Sequence, residues 1–306
     1  MAVHFIHSTT AMALLLLLLL LLFTCQFLSP ASCSSSTSSS NNNYYCDWCP
    51  RHVTASLFPP AAAAAADLND AGACGYRTMD TELLNGGHIF AAASAEFFRD
   101  GAGCGACFQL RCRDRRLCVD DGVKVVVTGS AKEEANRTGF LLAKEALAAM
   151  ARHGMSDQLA TLDSVQVDFR RIPCEYKKNL AVRVEEGSRN PSHLAVRFLY
   201  QGGQTDIAAV EIAQVGATPP SWRSMARRRN HQGMWRTSRA PDGPLLLRLV
   251  VTAGSGGKWM RTDEAAALPA DWRPGAVYDT GLRVTDVALR TCSRSCRAGD
   301  DNEELR

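Results

Sequence analysis

Cysteine constrains this chain more than any other residue type. Cys74, Cys104, Cys107, Cys112, Cys118 and Cys174 fall within one central stretch, behind an apolar leader and a Ser-rich spacer. Cysteine at that density describes a domain stapled by disulfides, and such bonds persist in an oxidising compartment. Of the 12 cysteines, those from Cys46 through Cys296 number ten, an even count suited to pairing.

The leader, 1–33, runs through uninterrupted leucine from Leu14 to Leu22 and ends on the small residues Ala31 and Ser32. It turns polar by Thr24 and carries no Lys or Arg, so it reads as a cleaved signal peptide rather than a membrane anchor. Secretion follows as the expectation, with no membrane association after cleavage.

Composition then divides the chain. Ser34 to Asn43 is Ser and Asn, and six alanines run from Ala61 to Ala66 beside Pro59 and Pro60, so 34–67 reads as an N-terminal spacer. A first domain is expected over 68–177. In it Val123 to Thr128 has the apolar β-branched character of a buried strand, and Val165 to Phe169 a second. Leu142, Ala146, Ala149 and Met150 recur at helical spacing, with Gly154 placed for a left-handed C-cap. A second domain is expected over 178–290. It lacks cysteine, and Leu180–Val184, Leu194–Tyr200, Ile207–Val215 and Leu245–Thr252 are short strand-like runs parted by turn signals, a sandwich pattern. The tail, 291–306, carries Cys292 and Cys296 before it turns acidic and polar.

Several strings resemble the plant expansin superfamily, most closely its expansin-like A branch. In the first half these are Gly72-Ala73-Cys74-Gly75-Tyr76, Gly103-Cys104-Gly105-Ala106-Cys107-Phe108-Gln109-Leu110-Arg111-Cys112 and Arg171-Ile172-Pro173-Cys174-Glu175-Tyr176. In the second they are Asn179-Leu180-Ala181-Val182-Arg183-Val184-Glu185-Glu186, Leu199-Tyr200-Gln201-Gly202-Gly203-Gln204-Thr205 and Ala270-Asp271-Trp272-Arg273-Pro274-Gly275. The resemblance implies an all-β chain: a six-stranded double-psi β-barrel like that of family 45 endoglucanases, then an immunoglobulin-like carbohydrate-binding β-sandwich. It also implies the disulfides Cys74–Cys104, Cys107–Cys174 and Cys112–Cys118. Cys46 and Cys49, in Cys-Asp-Trp-Cys, read as a local or terminus-linking disulfide more readily than a redox dithiol, since no βαβ pattern adjoins them. Cys292 and Cys296 are possible partners, and the spacing leaves that pairing open.

Inverting glycoside hydrolysis needs an acid and a base on opposite sides of the bond, with room for water between them. Full-motif members of the resembled family supply carboxylates from a Thr-Asp and a His-Phe-Asp string. Here those strings read Val127-Thr128-Gly129 and Gly139-Phe140-Leu141. Glycine and leucine transfer no proton, so the family's route to hydrolysis is closed and no enzymatic activity is expected. A cryptic glycosidase would need a replacement pair drawn from acids such as Asp80, Glu82, Glu96, Asp100, Asp120 and Asp121. No cofactor and no metal site is expected, as no cluster has zinc spacing.

Sugar-binding sandwiches present flat aromatic rings to the CH face of a glycan. At the resembled platform positions this chain carries His193 and His231, and imidazole stacks more weakly than indole. Trp222, Trp259 and Trp272 are expected in the core or half-buried, with Trp235 the best candidate for an exposed ring. Arg223, Arg227, Arg228, Arg229 and Arg236 crowd around Trp222 and Trp235. A secreted protein meets acidic polysaccharide before nucleic acid, so pectin or glucuronoxylan fits these guanidiniums better, unless the cluster is merely solvated. The net charge of +3 is too small to decide between them.

The expected protein is extracellular, monomeric and non-enzymatic. It binds wall polysaccharides (cellulose–xyloglucan, xylan or pectin), with Tyr76, Asp80, Asp100 and Thr128 lining a barrel groove and His193, His231 and Trp235 on the sandwich. Asn136 opens a glycosylation sequon. A barwin-like carbohydrate-binding or defence module without loosening activity is the alternative.

Overall fold

The computed structural model describes residues 51–58, 70–77, 88–131, 138–227, 233–252, 257–262 and 267–284. The leader, Cys46, Cys49, Asp80, Asn136, His231, Cys292 and Cys296 lie outside them.

The first half is built from β1 (Arg51–Leu57), the short ribbon β2 (Asp70–Ala71) and β3 (Tyr76–Arg77), then β4 (His88–Ala93), β5 (Cys107–Cys112), β6 (Val123–Ser130), β7 (Phe140–Leu142) and β8 (Val165–Ile172). Six of these strands close a barrel in the order β1-β7-β4-β6-β5-β8, with β8 returning to β1. The β1–β7 and β4–β6 pairs are parallel and the remaining pairs antiparallel. Closure leaves the barrel no free edge.

Alternation along these strands fills the interior. Leu110, Val125, Val127, Phe140 and Val167 are fully buried, and α1 (Ala95–Phe98) drives Phe97 in among them. The Phe97 ring stacks on Phe140 at 4.7 Å and meets Phe169 edge-on at 4.9 Å. Burying such a ring stabilises by ~1.5–3 kcal/mol, and aromatic pairing adds ~0.5–1.5 kcal/mol.

Two expectations change here. Residues 51–57, expected within a spacer, form an integral barrel strand: Ala55 is fully buried, and β1 pairs with both β7 and β8. The helix expected from Leu142 begins later. Pairing with β1 and β4 holds Leu142 in β7, and α2 (Lys144–Met150) buries Ala146, Leu147 and Met150 while Ala149 is exposed. Gly154, at φ +79°, turns the chain into α3 (Ser156–Ala160) rather than capping α2, whose C-cap is Ala151.

Cys74–Cys104, Cys107–Cys174 and Cys112–Cys118 are disulfide-bonded, the pairing implied by the resemblance.

The second half comprises β9 (Ala181–Val184), β10 (Leu194–Leu199), β11 (Asp206–Gln214), β12 (Arg223–Ser224), β13 (Ala226–Arg227), β14 (Trp235–Thr237), β15 (Leu245–Thr252), β16 (Gly257–Arg261) and β17 (Val277–Asp279). They form two sheets, β13-β14-β10-β9-β17 and β12-β11-β15-β16. Strict alternation in β15 buries Leu245, Leu247, Leu249 and Val251 against Leu180, Val182, Val196 and Ile212. The core here is mainly apolar, and the few buried polar side chains, such as Thr262 and Thr280, bond to backbone carbonyls.

Barrel and sandwich share a packed junction. Leu199 and Ala181 of the sandwich strands belong to the barrel's apolar cluster. Cys174 and Gly203 exchange both backbone hydrogen bonds, at 3.0 and 2.9 Å, and Arg183 donates to the Gly75 carbonyl at 2.7 Å.

Candidate polysaccharide-binding surface

The barrel places Gly129 and Leu141 in one row. Ala92 of β4 pairs with Gly129 of β6 on one side and with Leu141 of β7 on the other, and Leu141 pairs with Ser56 of β1. Their flanking residues Ala91, Ala93, Phe140 and Leu142 point into the core, so the row Gly129–Ala92–Leu141–Ser56 faces away from the barrel interior, with Gly129 and Ala92 themselves buried and Leu141 and Ser56 half-buried. Gly129 and Leu141 are two strand spacings apart, roughly 10 Å. That is close to the separation at which an acid and a base would flank a bond and a water. None of the four side chains is titratable.

Thr128 owes its position to a β-bulge. The register with β4 steps from Ala91↔Val127 to Ala92↔Gly129, which leaves Thr128 as the extra residue of β6, 5% exposed. It lies beneath the row rather than on an open surface. Tyr76, also expected to line a groove, is 1% exposed and packs edge-on against Tyr200, which in turn meets Tyr176. These rings form the core of the junction, and burial pushes the Tyr76 and Tyr176 hydroxyls well above the usual phenol range. Gly105 makes the room: a Cβ there would stand 2.5 Å from the Tyr76 hydroxyl.

Asp100, in contrast, is displayed. After α1 the chain turns through Arg99 (φ 47°) and Asp100 (φ 52°), left-handed positions that L-residues hold only when the surroundings impose them. An ion pair imposes this one. Arg99 donates two hydrogen bonds to Asp206 of β11, both at 2.9 Å, and Arg171 of β8 adds two more at 2.8 and 3.3 Å. Burial alone would push the Asp206 carboxyl up, yet the Arg171 and Arg99 guanidiniums outweigh it and hold the carboxyl down at about 2. Asp206 thus joins α1, β8 and the sandwich while the next side chain, Asp100, points to solvent.

The sandwich continues this surface. A cleft runs between Gly101 and Cys104 of the barrel and Arg197, Arg227 and Trp235 of the sandwich. A Cβ on Gly233 would come within 2.7 Å of the Gly101 carbonyl, so the approach requires glycine. His193 precedes β10, half-buried and bridged to Arg189. Trp235 is not the exposed ring that was expected. It is 6% exposed, because β14 is flanked by β10 and β13, and the Arg227 guanidinium covers it at 4.6 Å. Trp272 is in the core and Trp222 half-buried, as expected, while Trp259 is 55% exposed. Sequence reasoning missed Trp259 and the Arg99–Asp206–Arg171 clamp. The alternation of Trp259 with Met260 was the available signal for the first; the clamp had none, as its members are distant in sequence.

Comparison with known proteins bears on this architecture. The Expansin C-terminal domain family matches residues 180–266. Expansin-like A4 of Oryza sativa subsp. japonica is 58% identical over 287 residues, covering 85% of this chain and 89% of that protein. Expansin-like A1 of Arabidopsis thaliana is 40% identical over 250 residues, covering 81% and 89%. The crystal structure of the expansin of Clavibacter michiganensis covers 76% of this chain and 96% of its own at TM-score 0.55 and 21% identity, a likeness of fold. A variant of that bacterial protein has been solved in complex with cellohexaose. With this identity, sustained across both halves of the structure, the chain belongs to the plant expansin superfamily, in its expansin-like A branch.

Proposed function

We propose that this is a secreted protein of the plant cell wall that binds wall polysaccharide across the junction of barrel and sandwich and loosens the wall without cutting it. The cellohexaose complex of the bacterial fold relative supports a glycan as the ligand. One observation carries the non-hydrolytic part: Gly129, Ala92 and Leu141 occupy one outward row where acid and base would be needed. Binding energy without proton transfer competes with polymer–polymer contacts and leaves glycosidic bonds intact. Asp100 and half-buried His193 offer hydrogen bonds on this surface. Asp80 and His231 are proposed to join them, Thr128 to shape its floor, and the buried Tyr76 and Trp235 to act by support.

The test is extension of heat-inactivated wall strips under constant load at mildly acid pH, with reducing ends measured in the same bath. Creep without sugar release is the expected outcome. Release of reducing ends would refute the non-hydrolytic mechanism. Retention on the wall without creep would refute loosening and favour a barwin-like binding module.

A further inference from the structure

The outer face of the four-stranded sheet holds two indoles and a guanidinium in fixed relation. Alternation in β15 turns Arg248 and Val250 away from the core. On β16 Met260 packs inward, which turns its neighbours Trp259 and Arg261 outward. The Arg248 guanidinium lies 4.4 Å from the Trp222 ring centroid and 4.7 Å from that of Trp259, so the two rings are at most about 9 Å apart. Glu211 holds Arg248 in place, accepting from its Nε at 2.6 Å. A brace of this kind fixes the indoles before a ligand arrives and lowers the entropic cost of binding.

Among the described residues the charge on this face is unbalanced. Ser224, Glu211, Arg248 and Arg261 form a row across the four strands. Arg248 and Arg261 stand directly opposite each other, and like charges so placed weaken a sheet. Glu211 lies on the far side, engaged by Arg248. Among the described residues no carboxylate pairs with Arg261, which is exposed beside the exposed Trp259. An anionic group is the missing partner, and a flat apolar face is what the indole lacks.

We propose that this face is a second polysaccharide-binding surface, and that its ligand is a chain bearing uronate carboxylates. Trp259 stacks on the CH face of a sugar ring and the Arg261 fork takes a carboxylate. Trp222, on the other side of Arg248, supports a neighbouring part of the chain. The surface shares no residue with the one proposed above and lies on the other sheet from His193. It rests on that reading only in that the protein meets wall polysaccharide.

The whole purified protein is titrated with polygalacturonate and, separately, with neutral xyloglucan, following tryptophan fluorescence and retardation in affinity gels. Trp259→Ala is expected to weaken polygalacturonate binding about tenfold, the stacked ring being lost. Arg261→Gln is expected to weaken it severalfold and flatten its salt dependence, with xyloglucan binding unchanged. Both side chains are exposed, so the two variants check each other against misfolding. Wild-type affinity for polygalacturonate in both variants would overturn the proposal and reduce the cations of β16 to guards of a sheet edge. Xyloglucan binding that falls in step with polygalacturonate in Arg261→Gln would overturn the uronate assignment. Wall creep is expected to survive Trp259→Ala; its absence in the unaltered protein would sink loosening and leave this surface untouched.

Discussion

Barrel and sandwich solve the same problem with different means. The barrel is closed by short strands joined through long irregular segments, and three disulfides tie those segments down. The described sandwich residues include no disulfide, and its central strand β15 buries every second side chain. Regular alternation supplies enough apolar burial to hold a fold, whereas irregular chain needs cross-links that restrict the unfolded state. Four of the five tryptophans lie in the sandwich sequence, so indole fluorescence reports it almost alone.

The largest effect should come from the barrel's aromatic centre. Phe97→Ala removes a ring packed on Phe108, Phe140 and Phe169, and denaturant titration should show a loss of ~3–5 kcal/mol. A loss below about 1 kcal/mol would mean that the barrel does not depend on this plug. Replacing Cys107 and Cys174 together by alanine should cost ~2–4 kcal/mol. Circular dichroism should then show barrel loss at lower denaturant than the indole signal. Coincident transitions would show instead that the two halves unfold as one.

The clamp between the halves is pH-sensitive. Asp206 is held at about 2 in the folded protein, against about 3.9 unfolded. Its contribution is therefore complete above the unfolded value and lost as pH falls through the folded one. About 2 kcal/mol should disappear between roughly pH 5 and pH 2. Asp206→Asn should abolish that part of the acid-unfolding curve, and an unchanged curve would assign acid sensitivity elsewhere. The smallest effect is expected at Gly154. With φ at +79° and nothing within 4 Å of the position a Cβ would take, Gly154→Ala meets only backbone strain, about 1 kcal/mol in a thermal melt.

What could be read in advance follows the same division. The strand from Leu245 to Thr252 was visible because alternation is a local property. β1 was not, since seven residues between low-complexity flanks become a strand only by pairing with β7 and β8. The two tryptophans make the point for the site. Trp235 and Trp259 both lie in short strands, but β14 is interior to its sheet and β16 is an edge. Sheet position decides which ring meets solvent: the alternation of Trp259 with Met260 separates two faces, and only strand pairing says which face is left uncovered. Tyr76 likewise sits in a string matching the family, yet Tyr200, more than a hundred residues on, encloses it.

Cys174 has a mechanical consequence. It is bonded covalently to β5, exchanges two backbone hydrogen bonds with Gly203, and stands where the chain leaves the barrel for the sandwich. If taut polymers drag on the two halves in opposite directions, traction reaches the barrel at a covalently moored residue. β8 is then spared from unzipping strand by strand, and the strain falls on the short connection beyond Cys174 and on the Asp206 clamp.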